Sequence, residues 1–388
     1  MSANALIVNG GAPTAVINAS LYGAICEVKK HKEIDKFFAA VGGSGAILQE
    51  KILDLKTLPE EDINLLPDTP ASAIGTSRDV LKTRDYEKMV QVFKKHNIKY
   101  VFFNGGNGSM DTCGKVYKAC CDAGMPIQVV GIPKTIDNDL AITDHAPGFG
   151  SAARYIAGTV REISQDVRSL PIHVCVIEAM GRNAGWITAA SALARSGNGD
   201  GPDLIYLPER PFREEDFLAD VKRLHGEKGG VVVVVSEGLV NERGEPIVPP
   251  IFKSGRATYY GDVSSHLAGL VIRRLGIKAR SEKPGICGRA SIAFQSPVDR
   301  KEAELAGREA VRAAISGETD VMIGFQRISA KPYQIETIKI PIQQVMLHER
   351  VMPDEFINQN GNDVTQAFVD WCRPLLGGEL RRFVSFQS

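Results

Sequence analysis

The chain has 388 residues, with 46 Lys and Arg against 46 Asp and Glu and a formal net charge of zero. Hydrophobic residues make up 44% and charged residues 24%, an ordinary globular composition with room for two or three domains or one large α/β unit. Zero net charge excludes binding to nucleic acid or acidic membranes driven by overall charge, but not a local basic pocket. The seven cysteines include no CxxC pair and read as free thiols, which places the chain in the cytoplasm. The first residues carry no basic segment followed by a cleavable apolar core. No run approaches the ~18 apolar residues of a membrane span.

In chain order, residues 5–8 form an apolar strand ending in Asn9-Gly10-Gly11-Ala12-Pro13. Thr14 is a candidate N-cap for a helix over 15–30. Residues 36–41 read as a strand, 86–96 as a helix, and 100–103 as a strand that runs into Asn104-Gly105-Gly106-Asn107-Gly108-Ser109. A helix over 110–123 follows. The strand 128–132 ends in Pro133-Lys134-Thr135-Ile136-Asp137-Asn138-Asp139. The second half has a long helix over 149–167 and a strand over 173–178. Met180-Gly181-Arg182-Asn183 then leads to a helix reaching 194. A further helix spans 214–227, and the valine-rich strand 230–235 ends at Ser236-Glu237-Gly238. Short apolar strands alternating with helices predict an α/β fold of mainly parallel sheets covered on both faces. The lobe division falls near 148–170, giving lobes over 1–150 and 151–336 and a C-terminal segment over 337–388.

In open α/β sheets ligands sit beyond the carboxyl ends of the strands. Here those ends carry Gly10-Gly11, the loop through Gly106, Asn107, Gly108 and Ser109, and Pro133 to Asp139. Glycine turns opening onto helix N-termini suit phosphate, because free N–H groups and the helix dipole favour an anion. Neither loop is a Walker A sequence or GxGxxG, which argues against a dinucleotide-dependent oxidoreductase. Asp137 and Asp139, two residues apart, supply one carboxylate for Mg²⁺ and one to take a proton from a sugar hydroxyl. Thr135 stands beside them, and Lys134 and Arg78 add positive charge. Arg182, Glu237, Arg280 and Arg289 close other apolar runs and are candidates for a sugar-phosphate pocket. His173 begins a strand and reads equally as ligand or as structure.

The segments NGGAPTAVINAS, GTSR, NGGNGSMDT, GIPKTIDNDL, TDHAPGFGSAARY, EAMGRNAGW and SEG resemble the 6-phosphofructokinases over nearly the whole chain. The resemblance implies two similar α/β lobes with the active site between them, and Mg²⁺-dependent phosphoryl transfer to the C1 hydroxyl of fructose 6-phosphate. It implies a cytoplasmic homodimer or homotetramer with no nucleic-acid or membrane partner. Asp137 corresponds to the general base, Asp139 to a metal-linked carboxylate, and Thr135 to a contact of the transferring phosphoryl. Gly11 and Arg78 correspond to the lining of the donor phosphates, with Lys134. Met180, Gly181, Arg182, Glu237, Arg280 and Arg289 correspond to the sugar-phosphate pocket. Asn107 replaces a usual aspartate near the metal. In many relatives an arginine reaches that pocket from a neighbouring subunit at the place of His173. Pyrophosphate users carry aspartate at Gly108 and lysine at Lys134, whereas this chain pairs glycine with lysine. Asp79 stands where many ATP enzymes have an aromatic near adenine. Because Gly108 removes a block to a nucleotide, ATP is taken as the donor. The alternatives are a reversible pyrophosphate enzyme and a weakly active sugar-phosphate-binding paralogue.

Overall fold

The computed structural model describes residues 2–197, 200–254, 257–346 and 348–386. Among them the strands are, in chain order, β1 (Ala3–Asn9), β2 (Ile34–Ala40), β3 (Ile52–Asp54), β4 (Ile98–Gly105), β5 (Gln128–Pro133), β6 (Val174–Ala179), β7 (Leu204–Tyr206), β8 (Val231–Ser236), β9 (Pro250–Ser254), β10 (Ala257–Tyr260), β11 (Ala279–Glu282), β12 (Val321–Ala330) and β13 (Tyr333–Pro341). The chain divides into two compact units, Met1–Ser151 with Arg289–Arg350, and Ala152–Gly288 with Val351–Ser388. The first junction falls between Ser151 and Ala152. The expected continuous lobe over 151–336 is interrupted, because residues 289–350 belong to the first unit. The reason is packing: the Ala-rich face of the helix Pro297–Ile315 lies on the helix Ile17–Val28, and β12 extends the first sheet.

The first unit is built on a sheet of order β13-β12-β5-β4-β1-β2-β3. β2, β1, β4, β5 and β12 pair in parallel, and β3 and β13 are antiparallel edges. Alternation decides the two cores. Ala5, Ile7, Phe37 and Phe102 face one side with Ile25, Ala306 and Val311, while Leu6, Val8, Val101 and Phe103 face the other with Met89, Phe93 and Met110. Asn9 pairs with Asn104, which pairs with Ile132, so the three following loops leave the sheet at one edge.

The second unit has a parallel sheet of order β11-β6-β8-β7 and the hairpin β9–β10. Val174, Val176, Val231, Val233 and Val235 pack with Phe217, Leu267 and Val271. One boundary differs with consequence. The helix expected from 110 starts at Asn107, so Asn107, Gly108 and Ser109 form its first turn rather than a loop. The N-cap expected at Thr14 is also displaced: the helix begins at Ile17, after Val16.

The helices Ile17–Val28 and Pro297–Ile315 cross with almost no space between backbones. A Cβ on Gly307 would lie 2.0 Å from the Ser20 carbonyl oxygen. Gly307→Ala should therefore destabilise the protein by about 1–3 kcal/mol despite alanine's better helix propensity, read as a lower denaturant midpoint.

Candidate active site

In the first unit, backbone builds the rim. Gly10 forms a bridge with Ser77. The Gly11 N–H donates to Ser77 O at 2.9 Å, and Thr76 Oγ1 donates to Gly11 O at 2.7 Å. These bonds bring the exposed Arg78 beside Gly11, and no hydrogen bond or ion pair holds its guanidinium among the described residues. The helix Asn107–Asp122 begins at Gly106 without a capping side chain or an acidic residue in its first turn. Its positive end is thus left for an anion. Ser109 Oγ is turned to the strand ends, where a Cβ on Gly10 or Gly105 would come within 2.3 or 2.0 Å of it. Its hydroxyl therefore packs against backbone. At Gly108 an added Cβ would meet nothing within 4 Å.

The carboxylate loop follows β5. Thr135 N–H donates to Pro147 O at 3.1 Å. Thr135 Oγ1 donates to Asp139 Oδ1 at 3.0 Å and accepts from Asp137 N–H at 3.1 Å. Asn107 Nδ2 donates to Asp139 O and Oδ2, both at 3.1 Å. Asn107 also keeps a buried Oδ1 that has no hydrogen-bond partner among the described residues. It aims amide hydrogens, not its oxygen, at Asp139, a contact an aspartate could not make. Asn138 adopts φ 53° between the two carboxylates, which both remain partly exposed.

Lys134 is only 3% exposed, and its Nζ donates to Ala12 O at 2.6 Å. A Cβ on Gly11 would lie 3.4 Å from that Nζ. Burial lowers the Lys134 pKa to about 8. Asp137 and Asp139 pull it up, while Arg78 and Arg289 push it further down. Arg289 belongs to the same unit, and its buried Nε has no hydrogen-bond partner among the described residues.

In the second unit, Met180, Gly181 and Arg182 follow β6, and Glu237 follows β8. Gly181 N–H donates to Glu237 Oε1 at 3.1 Å, and Ser236 Oγ donates to Gly181 O at 2.7 Å. Arg182 donates to Thr258 O at 2.9 Å and lies 5.2 Å from the Tyr260 ring centroid. His173 and Arg280 are elsewhere. His173 precedes β6 and Met180 follows it, about 20 Å away at ~3.3 Å per residue. With Arg280, Cys175, Asp166 and Glu162, His173 lines a cavity of about 190 Å³. Among the described residues neither of its ring nitrogens has a hydrogen-bond partner. Burial, then Arg280 and Lys278, lower its pKa from 6.5, so it is neutral at pH 7 and lacks the charge of an arginine.

A family model described as Phosphofructokinase matches residues 4–314. The chain belongs to the phosphofructokinase family. The pyrophosphate--fructose 6-phosphate 1-phosphotransferase of Rhodospirillum rubrum is 37% identical over 382 residues, 96% of this chain and 94% of its own. The sulfofructose kinase of Alkalicoccus urumqiensis is 31% identical over 373 residues, 95% of this chain and 94% of its own. The crystal structure of the pyrophosphate-dependent phosphofructokinase from Nitrosospira multiformis matches with a TM-score of 0.90 at 37% identity, covering 100% of this chain and 95% of that one.

As a phosphofructokinase the chain is an enzyme that transfers a phosphoryl group to fructose 6-phosphate. No helix among the described residues is long and apolar enough to cross a membrane. Family members generally use Mg²⁺. Among the described residues no three His, Cys, Asp or Glu side chains converge on a metal position. The partly exposed carboxylates Asp137 and Asp139 suit Mg²⁺, which in phosphoryl transfer takes one or two carboxylates and completes its shell with phosphates and water.

The lowered Lys134 pKa gives a pH dependence with a definite sign. The ammonium is charged below about 8 and loses its proton as pH rises through that value. The KM for the phosphoryl donor should therefore rise above pH 8, measured in steady state at fixed ionic strength and Mg²⁺, and stay flat between pH 6 and 7.

Proposed function

We propose that this phosphofructokinase transfers a phosphoryl group reversibly from pyrophosphate to the C1 hydroxyl of fructose 6-phosphate. The observation that carries the donor is Asp79. Its carboxylate accepts from Gly45 N–H at 2.6 Å and from the Ser77 hydroxyl, which fixes an acid where the resemblance expects an aromatic for adenine. The pyrophosphate-named relatives, matched along almost their whole length, support the same donor. The ATP expectation rested on Gly108, and the open space there favours it as the second reading.

In this proposal Lys134, Arg78, the Gly11 backbone and the helix end at Gly106, Asn107 and Gly108 hold the pyrophosphate. Ser109 supports that turn by filling the space between Gly10 and Gly105. Asp137 takes the C1 hydroxyl proton, and Thr135 aligns it and contacts the moving phosphoryl group. Asp139 would hold Mg²⁺, which when bound supplies charge neutralisation on the phosphates. Met180, Gly181, Arg182, Glu237 and Arg289 serve the sugar phosphate. His173 and Arg280, set apart at the start of β6, are assigned to a neighbouring copy in a cytoplasmic homodimer or homotetramer.

The test is an assay of purified protein with Mg²⁺ and fructose 6-phosphate, with pyrophosphate and ATP side by side and sulfofructose as a second acceptor. Turnover with pyrophosphate is expected to exceed turnover with ATP, and the reverse would overturn the donor. Gly108→Asp should fold normally, because a Cβ there meets nothing, and should weaken ATP use far more than pyrophosphate use. Asp137→Asn should lower kcat by at least ~10²-fold with a smaller change in sugar KM, the scale of a lost general base. Near-normal kcat would remove Asp137 from that role.

A further inference from the structure

We propose that His145, clamped between Asp144 and Glu302, is a positioning residue that holds residues 143–148 in place beneath the carboxylate loop. The inference rests on the reading above that this loop carries the chemistry. His145 Nδ1 lies 2.8 Å from Asp144 Oδ2, and Nε2 lies 2.7 Å from Glu302 Oε2. Carboxylate oxygens accept only, so both ring nitrogens must donate and the ring is an imidazolium. It is 1% exposed and stacks on Phe325 with centroids 5.3 Å apart. Three directions are thereby fixed.

Other groups fix its partners. Arg327 donates to Asp144 Oδ2 at 2.9 Å, and the Tyr333 hydroxyl donates to Glu302 Oε1 at 2.7 Å. Arg350 donates to the Thr143 and Asp144 carbonyl oxygens at 2.6 Å, while its own N–H donates to Asp139 O at 2.8 Å. Asp299, three residues before Glu302, accepts from Gly148 N–H at 2.8 Å and from Ser151. The charged groups around His145 are thus Asp144, Glu302, Asp299, Arg327 and Arg350, with Tyr333 neutral.

Besides the Arg350 N–H bond to Asp139 O, residues 146 and 147 reach the loop through two more bonds. Ala146 N–H donates to Asn138 Oδ1 at 3.0 Å, and Thr135 N–H donates to Pro147 O at 3.1 Å. Asn138 lies between Asp137 and Asp139, so a shift at 146 moves both carboxylates. Buried ion networks seldom add stability over apolar packing, so a geometric role is the better account of this one. Burial by itself pulls the His145 pKa down, but Glu302 and Asp144 outweigh it and raise the pKa from 6.5 to about 9. The stabilisation it brings is complete below pH 6.5 and is lost as pH rises through about 9.

The experiment compares wild type with His145→Gln. In the folded variant kcat should fall about 10- to 100-fold, the scale of an ångström-level misplacement, while the KM for fructose 6-phosphate changes by less than about threefold. The gap in melting temperature between the two proteins should narrow from pH 7 to pH 9.5. A folded variant with kcat within twofold of wild type, or a gap constant with pH, would overturn the role. Should His145→Gln not fold, Tyr333→Phe decides instead. It should lower kcat by about 3- to 10-fold at unchanged KM, and unchanged kcat overturns the proposal. Inactive wild type with both donors would defeat the functional reading rather than this one.

Discussion

An ammonium group taken out of water loses several kcal/mol of hydration unless its surroundings replace it. Lys134 is in that position, and the head of the first sheet is arranged around it. The Ala12 carbonyl replaces one water directly. The rest comes from Asp137 and Asp139, whose charges oppose the lowering of its pKa. Those carboxylates help only while they stay nearby. Asp139 is therefore held by Thr135 and Asn107, and the loop itself is held by the chain that returns through 143–148. A cation that is dry and pre-paired is poised for an incoming anion, because phosphate then replaces carboxylate attraction rather than bulk water.

The same logic explains why so much of the rim is backbone. Parallel strands in register deliver Gly10, Gly105 and Pro133 to one edge, and a helix positive end opens beside them. Backbone dipoles cannot titrate or change rotamer, so they supply a fixed field. Side chains are kept for what backbone cannot do: a full positive charge at Arg78 and Lys134, and the carboxylate proposed to accept a proton at Asp137. The second unit repeats the device on a smaller scale, with Gly181 N–H fixed by Glu237 after β6.

Much of this was legible in the sequence. Short apolar runs ending in glycine or proline locate β1, β4 and β5, and the strand-end rule then places the three loops together. The carboxylate spacing in TIDND is also local. What escaped is long-range. Residues 289–350 return to the first unit through the pairing of β12 with β5, and no local pattern encodes that partner. His145 sat within a quoted motif but had no role, because its meaning lies in Glu302, 157 residues away. Arg350 carried no signal at all. Asn107 shows the same dependence on a distant partner: an asparagine offers oxygen or nitrogen, and only Asp139 decides which end it receives.

The donor question reduces to what a purine would require. Pyrophosphate is compact and fully anionic, so backbone N–H groups and cations can recognise all of it. A nucleotide adds a flat apolar ring, which needs a matching face and dry surroundings. The turn where the resemblance expects that ring, Gly75-Thr76-Ser77-Arg78-Asp79, offers no aromatic side chain. It offers instead a carboxylate that accepts from the Gly45 N–H and the Ser77 hydroxyl. Gly108 clears a path for the phosphate next to a ribose, but clearing a path creates no attraction. The two features therefore carry unequal weight. An open glycine permits either donor, whereas an acid in the ring's place works against one of them.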